Sequence, residues 1–468
     1  MKKYRVFKAA LAALLCIFLT ACNEFGASVD ELLTAPKLTG DIYEIQQALE
    51  KDVDRPIDLK YPQKGDNLSA FNLYDTDGDG VEEAVAFYRF KDDTEGVILM
   101  SYIDRSDDKW HVVGTGKITA SDVERVDFAD LNGDGKSEIV VGWNIFSTVE
   151  KTATVYTATS ELLTQRISEP YNEYVLCDLM ESGHNQLLLI NLNTTDKTST
   201  AKLYHLQGDT VVEEGTAQLD GSITSYSTPI IGKLASNRPA LYLDASKASG
   251  AMITEIIYYD PPDVPAELTD TGAQNYDIVR TGALVSPFHD STTYENAITA
   301  RPTAVAAKDI DADGVLEIPL MTELPGFASR TDDEKMYITA WRSYDEKRFE
   351  TKLSAIMNYP ADYYIACPSN WQEDRKQNNI TVSRSADYRL LSFYEWNNTI
   401  QQRGTELFRI RLFTRIEWDN REEMQDGGSY VPIKSDKDRV FAISVSNLTS
   451  PLALNETNIK DYFNLIAE

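Results

Sequence analysis

Asp75-Thr76-Asp77-Gly78-Asp79-Gly80-Val81-Glu82-Glu83 is the first of three acidic nonapeptides in a chain of 468 residues. The others are Asp130-Leu131-Asn132-Gly133-Asp134-Gly135-Lys136-Ser137-Glu138 and Asp309-Ile310-Asp311-Ala312-Asp313-Gly314-Val315-Leu316-Glu317. One template covers all three: an oxygen-bearing side chain at positions 1, 3 and 5, Gly at 6 and Glu at 9. A tightly curled loop turns positions 1, 3 and 5 inward, offers a carbonyl at 7 and closes with a later acid. That arrangement suits a hard cation such as calcium. Gly at 6 permits the positive φ of the sharp turn. Positions 1, 3, 5 and 9 carry formal charges of −4, −3 and −4, and carboxylates so close repel unless a cation sits among them. The competing reading of each loop is a plain acidic turn between strands.

The surroundings are β-rich. Residues 84–88, 96–103, 110–118 and 123–130 are dense in β-branched and aromatic residues and bounded by charged turns, the pattern of short strands. The last of them runs into the second loop, 55 residues after the first. This suggests a unit of one loop followed by four strands. A degraded copy follows at Asp178, with Met180, Ser182 and Gln186 at positions 3, 5 and 9. It keeps the frame without the ligands, so no metal is expected there. A fourth copy, around Lys233, has lost even the first Asp. The third acidic loop lies 76 residues beyond Lys233, which implies an insertion between Pro261 and Pro302. Strands at 318–322, 335–343 and 348–356 leave the last unit one strand short. Segment 68–74 is a strand without a unit, so the ends are expected to exchange strands and close a ring, which removes open edges.

Loops and strands together resemble FG-GAP/VCBS-type repeats, the calcium-binding β-propeller blades of integrin α-subunit heads and many bacterial surface proteins. The resemblance covers residues 67–356. It implies a mainly β fold, a β-propeller; the five units counted suggest about five blades, and six or seven if degenerate units exist. Residues 361–468 read by their own pattern as a small α+β domain. By position the resemblance implies side-chain ligands Asp75, Asp77, Asp79 and Glu83 with the Val81 carbonyl. The second set is Asp130, Asn132, Asp134 and Glu138 with the Lys136 carbonyl. The third is Asp309, Asp311, Asp313 and Glu317 with the Val315 carbonyl, giving up to three calcium sites. Ala312 departs from the Gly at position 4 of the other two loops and weakens the third site. In the C-terminal domain, strands are expected at 380–383, 388–396, 406–414 and 439–446, with a closing helix over 458–467.

The N-terminus has a basic start, an apolar run over 9–19 and then Leu19-Thr20-Ala21-Cys22. This is a signal peptide rather than a membrane span. Its end resembles the bacterial lipobox, which implies cleavage after residue 21, a lipid on Cys22 and a tether through residue 66 that includes a short helix at 41–51. The expected location is the bacterial cell envelope, outside the cytoplasm. The formal charge is −29, and −33 without Lys2, Lys3, Arg5 and Lys8. Such a surface repels nucleic acid and anionic headgroups. With Cys16 in the signal and Cys22 lipidated, Cys177 and Cys367 remain, read as free buried thiols.

Catalytic signatures are weak. The chain has four His (His111, His184, His205 and His289), none in a metal spacing, and no GxSxG or phosphate-binding loop. His289 is the one to watch. The pairs Tyr258-Tyr259 and Tyr363-Tyr364 read as packing rather than a sugar platform. The reading is a non-catalytic, lipid-anchored protein-interaction module stiffened by calcium, with an envelope protein as partner. The alternatives are a lectin-like binder of cell-wall glycan and, less favoured, a glycan hydrolase.

Overall fold

The computed structural model describes residues 40–106, 109–146, 151–262, 282–290, 292–373, 377–424 and 429–466. The expected signal peptide, the expected lipid site Cys22 and much of the expected 261–302 insertion lie outside the described residues. Among the described residues no helix is long and apolar enough to cross a membrane.

The chain is mainly β. The first sheet holds Ile57–Lys60, Phe71–Tyr74, Glu83–Phe90, Val97–Ser106 and Lys109–Thr119. The second holds Asp122–Ala129, Glu138–Asn144, Lys151–Ala158 and Leu163–Tyr171, and the third Glu173–Cys177, Gln186–Asn193, Thr198–Gln207 and Thr210–Leu219. In the fourth, Ile223–Tyr226 and Ile230–Lys233 both pair with Pro239–Lys247, which continues to Met252–Asp260 and Ala283–Val285. The fifth runs Ile318–Glu323, Tyr337–Tyr344, Phe349–Asn358, Tyr363–Ala366 and Phe463–Leu465.

Each loop joins two strands of one sheet. The residue before position 1 pairs with position 9: Tyr74 with Glu83, Ala129 with Glu138, Cys177 with Gln186, Lys308 with Glu317. The unit is therefore strand, loop, strand, strand, strand, which shifts the expected unit by one strand. A short loop between antiparallel strands favours the local hairpin over pairing with the sheet before it. Ring closure by strand exchange is corrected for the same reason, since Phe71–Tyr74 pairs with Glu83–Phe90 in its own sheet. The fifth sheet lacks nothing either. Lys308 bridges Glu317 as the start of its first strand, and Tyr363–Ala366 and Phe463–Leu465 extend the far edge.

Successive sheets bury apolar faces against each other. Val85, Phe87 and Met100 meet Val126, Ile139 and Trp143 between the first and second. Val155 and Tyr171 meet Leu187 and Tyr204 between the second and third. Leu188 and Leu203 meet Leu241 and Ile257 next, and Tyr242 and Ile256 meet Ile318 and Tyr344 last. Fourth strands of neighbouring sheets approach closely where glycine allows it. A Cβ on Gly114 would stand 2.7 Å from Leu163, and one on Gly215 2.9 Å from the Leu284 nitrogen.

The two outer faces of this series are covered by other elements. Helix Asp41–Val53 lays Ile45 and Leu49 on Ala84, Ala86 and Tyr88, the face of the first sheet that alternates with Val85 and Phe87. Its N-cap is Gly40, without a side-chain cap from Asp41. At the other end Ile338, Ile356 and Tyr363 pack on a sheet of Ile380–Arg384, Leu390–Asn397, Gln402–Thr414, Arg439–Val445 and Val431–Ser435. Trp371, Phe393 and Phe408 stack at the centre of that contact. The expected closing helix is corrected: Ile459–Asp461 is a single 3-10 turn and Phe463–Leu465 is a strand. Phe463 and Leu465 are buried on either side of exposed Asn464, a period of two that the helical spacing of Ile459, Tyr462 and Ile466 concealed.

Leu49 is fully buried, so Leu49→Ala is expected to cost about 2–5 kcal/mol in denaturant unfolding. An unchanged midpoint would mean that the helix does not cover the first sheet.

Candidate metal centre

The loops lie side by side along one rim. Ser137 N–H donates to the Thr76 carbonyl (2.8 Å), Asn185 N–H to the Asp130 carbonyl (2.9 Å), and Leu316 N–H to the Lys233 carbonyl (3.4 Å). Position 8 of these three loops is thus tied to the start of the loop before it.

Inside the loops one frame recurs. The position-1 carboxylate accepts the N–H of position 6: Gly80 to Asp75 at 3.0 Å, Gly135 to Asp130 at 2.9 Å, Gly183 to Asp178 at 2.9 Å, Gly314 to Asp309 at 2.9 Å. In the acidic loops the side chain at 9 accepts the N–H of position 2: Thr76 to Glu83 at 2.8 Å, Leu131 to Glu138 at 2.8 Å and Ile310 to Glu317 at 3.1 Å; in the degraded loop Gln186 takes the N–H of position 3 instead, from Met180 at 3.2 Å. Gly80, Gly135, Gly183 and Gly314 all have φ between 83° and 88°, the left-handed conformation that position 6 requires.

What fills the centre differs. In the first loop Asp75, Asp77, Asp79 and Glu83 each bring a carboxylate oxygen within 4.8 Å of the others, and in the third loop Asp309, Asp311 and Glu317 do the same. Position 9 is buried throughout: Glu83 is 3% exposed, Glu138 4% and Glu317 0%. One oxygen of Glu317 is buried with no hydrogen-bond partner among the described residues. Burial, then the neighbouring Asp carboxylates, pushes both Glu138 and Glu317 up to about 7. Glu83 is raised as well, by burial first, while two bonds from Thr76 hold it down. Proton uptake and cation binding are the two ways such a cluster relieves its charge.

The degraded loop shows a third way. Gln186 at position 9 turns its amide nitrogen into the centre. It donates to Asp178 Oδ1 (3.3 Å), to Ser182 Oγ (2.9 Å) and to the His184 carbonyl (2.8 Å). These are the acceptors at positions 1, 5 and 7, the set a cation would take. In the second loop Asn132 Nδ2 donates to Asp134 (3.1 Å) and Glu138 (3.2 Å); rotation of the amide would present its oxygen instead. The all-oxygen donor sets of the three acidic loops fit a hard cation.

Asp313, at position 5, stands apart from the third cluster. Lys352 reaches it at 3.4 Å, and its carboxyl is held below the usual range by the Val315 N–H and then by Lys352. This competitor sits 39 residues away in the chain and belongs to no motif. His289 lies with its Nε2 3.1 Å from buried Glu255. That carboxylate also accepts from Ser286 (2.9 Å), and this polar cluster belongs to the fourth sheet's edge. Tyr258, Tyr259 and Tyr363 are buried. Cys177 is buried and Cys367 half-buried, both free, and burial pushes both thiols up to about 12.

No protein-family model matches the chain, and no curated protein matches it in sequence. Among solved structures it is similar to the exotype rhamnogalacturonan lyase YesX, at 10% identity and a TM-score of 0.25 over 76% of this chain and 72% of that one. It is also similar to the exo-beta-1,3-galactanase of Phanerochaete chrysosporium solved with galactose, at 9% identity and a TM-score of 0.23 over 77% and 81%. Likeness at this level carries no argument about chemistry.

Two variants test the geometry. Gln186→Glu replaces the central donor by a second acid beside Asp178, so it is expected to lower the melting temperature in chelator and recover in millimolar calcium. Loss that calcium does not restore would contradict the assignment of the centre. Lys352→Met frees Asp313 and should tighten calcium binding at the third loop severalfold by calorimetry; unchanged affinity would show that the lysine does not compete.

Proposed function

We propose that this chain is an envelope lipoprotein, held at the membrane by a lipid on Cys22, whose calcium-stabilised repeats form a non-catalytic interaction module. The five sheets are read as the blades of an FG-GAP-like β-propeller, with the helix and the C-terminal sheet covering the first and last. The observation that carries the calcium reading is the amide of Gln186. Where position 9 is neutral, a hydrogen-bond donor takes the centre of the loop; where it is Glu, the carboxylates face each other without one in the first and third loops. Calcium restores what the donor supplies, and it ties each inner hairpin to the rim. The partner, an envelope protein, would be met by surfaces that the sheets hold still.

Extracellular calcium modules bind at about 10⁻⁴ to 10⁻³ M. Millimolar calcium is then about one- to tenfold over Kd, so each site adds about 0.4–1.4 kcal/mol. Calorimetric titration is expected to give up to three sites and a melting temperature several degrees higher in millimolar calcium than in chelator. Asp134→Ala should remove one site and spare the rest. No binding heat together with an unchanged melt would overturn the proposal.

A further inference from the structure

A second feature, remote from the acidic loops, has the chemistry of a ligand site. A cleft of about 590 Å³ opens between the 325–334 segment of the fifth sheet and the C-terminal sheet. That is within the range of about 300–1,000 Å³ usual for small-ligand pockets. We propose that it binds an acidic saccharide, with a uronate ring lying against Trp396 and the ring's carboxylate held by Arg403, the residue paired with Trp396 across the sheet.

Four observations carry this. First, the charge is inverted locally. Arg330, Arg384 and Arg403 line the cleft against Asp333 and Glu334, a net +1 in a chain of −29. Glu334 is engaged by Arg330 at 3.9 Å. Arg384 donates to the Asp333 carbonyl at 3.1 Å, a bond that uses no carboxylate. Arg403 is exposed; its guanidinium lies 4.4 Å over the Tyr394 ring, with no ion pair among the described residues. Arg guanidinium forks match carboxylates bidentately.

Second, the aromatic wall is built deliberately. Gly326 takes φ 88°, and a Cβ there would stand 3.1 Å from the Trp396 indole, so glycine lets the segment close on the ring. Thr381 Oγ1 pins that segment through the Pro325 carbonyl at 2.6 Å.

Third, Tyr388 lines the cleft with φ 61°. A bulky aromatic in left-handed backbone is an outlier, and such outliers concentrate at ligand sites. The turn is locked by its N–H to the Ser385 carbonyl (3.0 Å) and by Asn358 donating to the Tyr388 carbonyl (3.0 Å). Its ring carries the Arg384 guanidinium at 4.2 Å, which orients that cation.

Fourth, the lining is mostly polar around a few rings, which suits neither an acyl chain nor a fully apolar ligand. A single net positive charge is too little for a polyphosphate beside two acids. One carboxylate on a hydroxyl-rich ring with an apolar face fits both the count and the shape.

The cleft contains none of the calcium-loop residues, so its failure leaves the calcium reading standing. The test is calorimetric titration of the full chain with methyl galacturonoside, which carries one carboxylate, and with its methyl ester, which keeps the ring and masks the charge. Saturable binding of the acid is expected, with the ester about tenfold weaker. Arg403→Gln should weaken the acid about tenfold at an unchanged melting temperature, since the side chain is exposed. Trp396→Phe should weaken acid and ester alike. No binding of the acid, equal binding of the ester, or full affinity in Arg403→Gln would overturn the proposal.

Discussion

Carboxylates crowded together by the same hydrogen bonds that shape their loops are the constraint around which the repeats are arranged. The position-1 Asp is fixed by the Gly N–H at 6 and the position-9 side chain by the N–H at 2. Neither bond discharges the cluster. A buried position 9 makes the repulsion expensive, because low dielectric strengthens it. Each repeat therefore needs a positive charge, a proton or a donor at its centre. Different loops meet that need differently: Gln186 supplies a donor to the centre, Asn132 bridges two acids, Lys352 withdraws Asp313, and in the first loop the Thr76 hydroxyl donates to Glu83 alone. The repeats are then one backbone motif with graded demand for a cation.

The frame matters beyond the loops because position 9 begins the second strand of its sheet. Glu83, Glu138 and Gln186 pair with the residue before their own loop, so the loop sets the register of the inner hairpin. That register decides which side chains face the next sheet. On Glu83–Phe90 it sends Val85 and Phe87 to the second sheet and Ala84, Ala86 and Tyr88 to the helix. The hydrogen bonds from position 8 to the neighbouring loop then link the rims. A change at one loop is felt first by its neighbour and by the sheet it starts.

Much of this was legible in the sequence. The loops, the strands around them and the loss of ligands at 178–186 followed from spacing, because a nine-residue loop with Gly at 6 leaves little freedom. The degenerate fourth copy was legible too, although its loop is shorter, since Lys233 pairs with Pro239. What failed was what depends on partners in space. The sheet to which residues 122–129 belong is decided by hairpin pairing, not by their own composition. The C-terminal segment reads as a helix by spacing, but Tyr363–Ala366 offers it an open edge, and Phe463 and Leu465 take the buried positions. Arg403, Trp396 and Tyr388 carried no motif, and the left-handed backbone at Tyr388 has no signature in a single sequence.

The central claim is that three loops hold a cation where a fourth holds an amide. The most direct measurement is anomalous diffraction from crystals grown in calcium. The account predicts difference peaks inside 75–83, 130–138 and 309–317, the last the weakest, and none inside 178–186, where Gln186 remains in place. Empty acidic loops, or a peak in the loop that Gln186 fills, would contradict it.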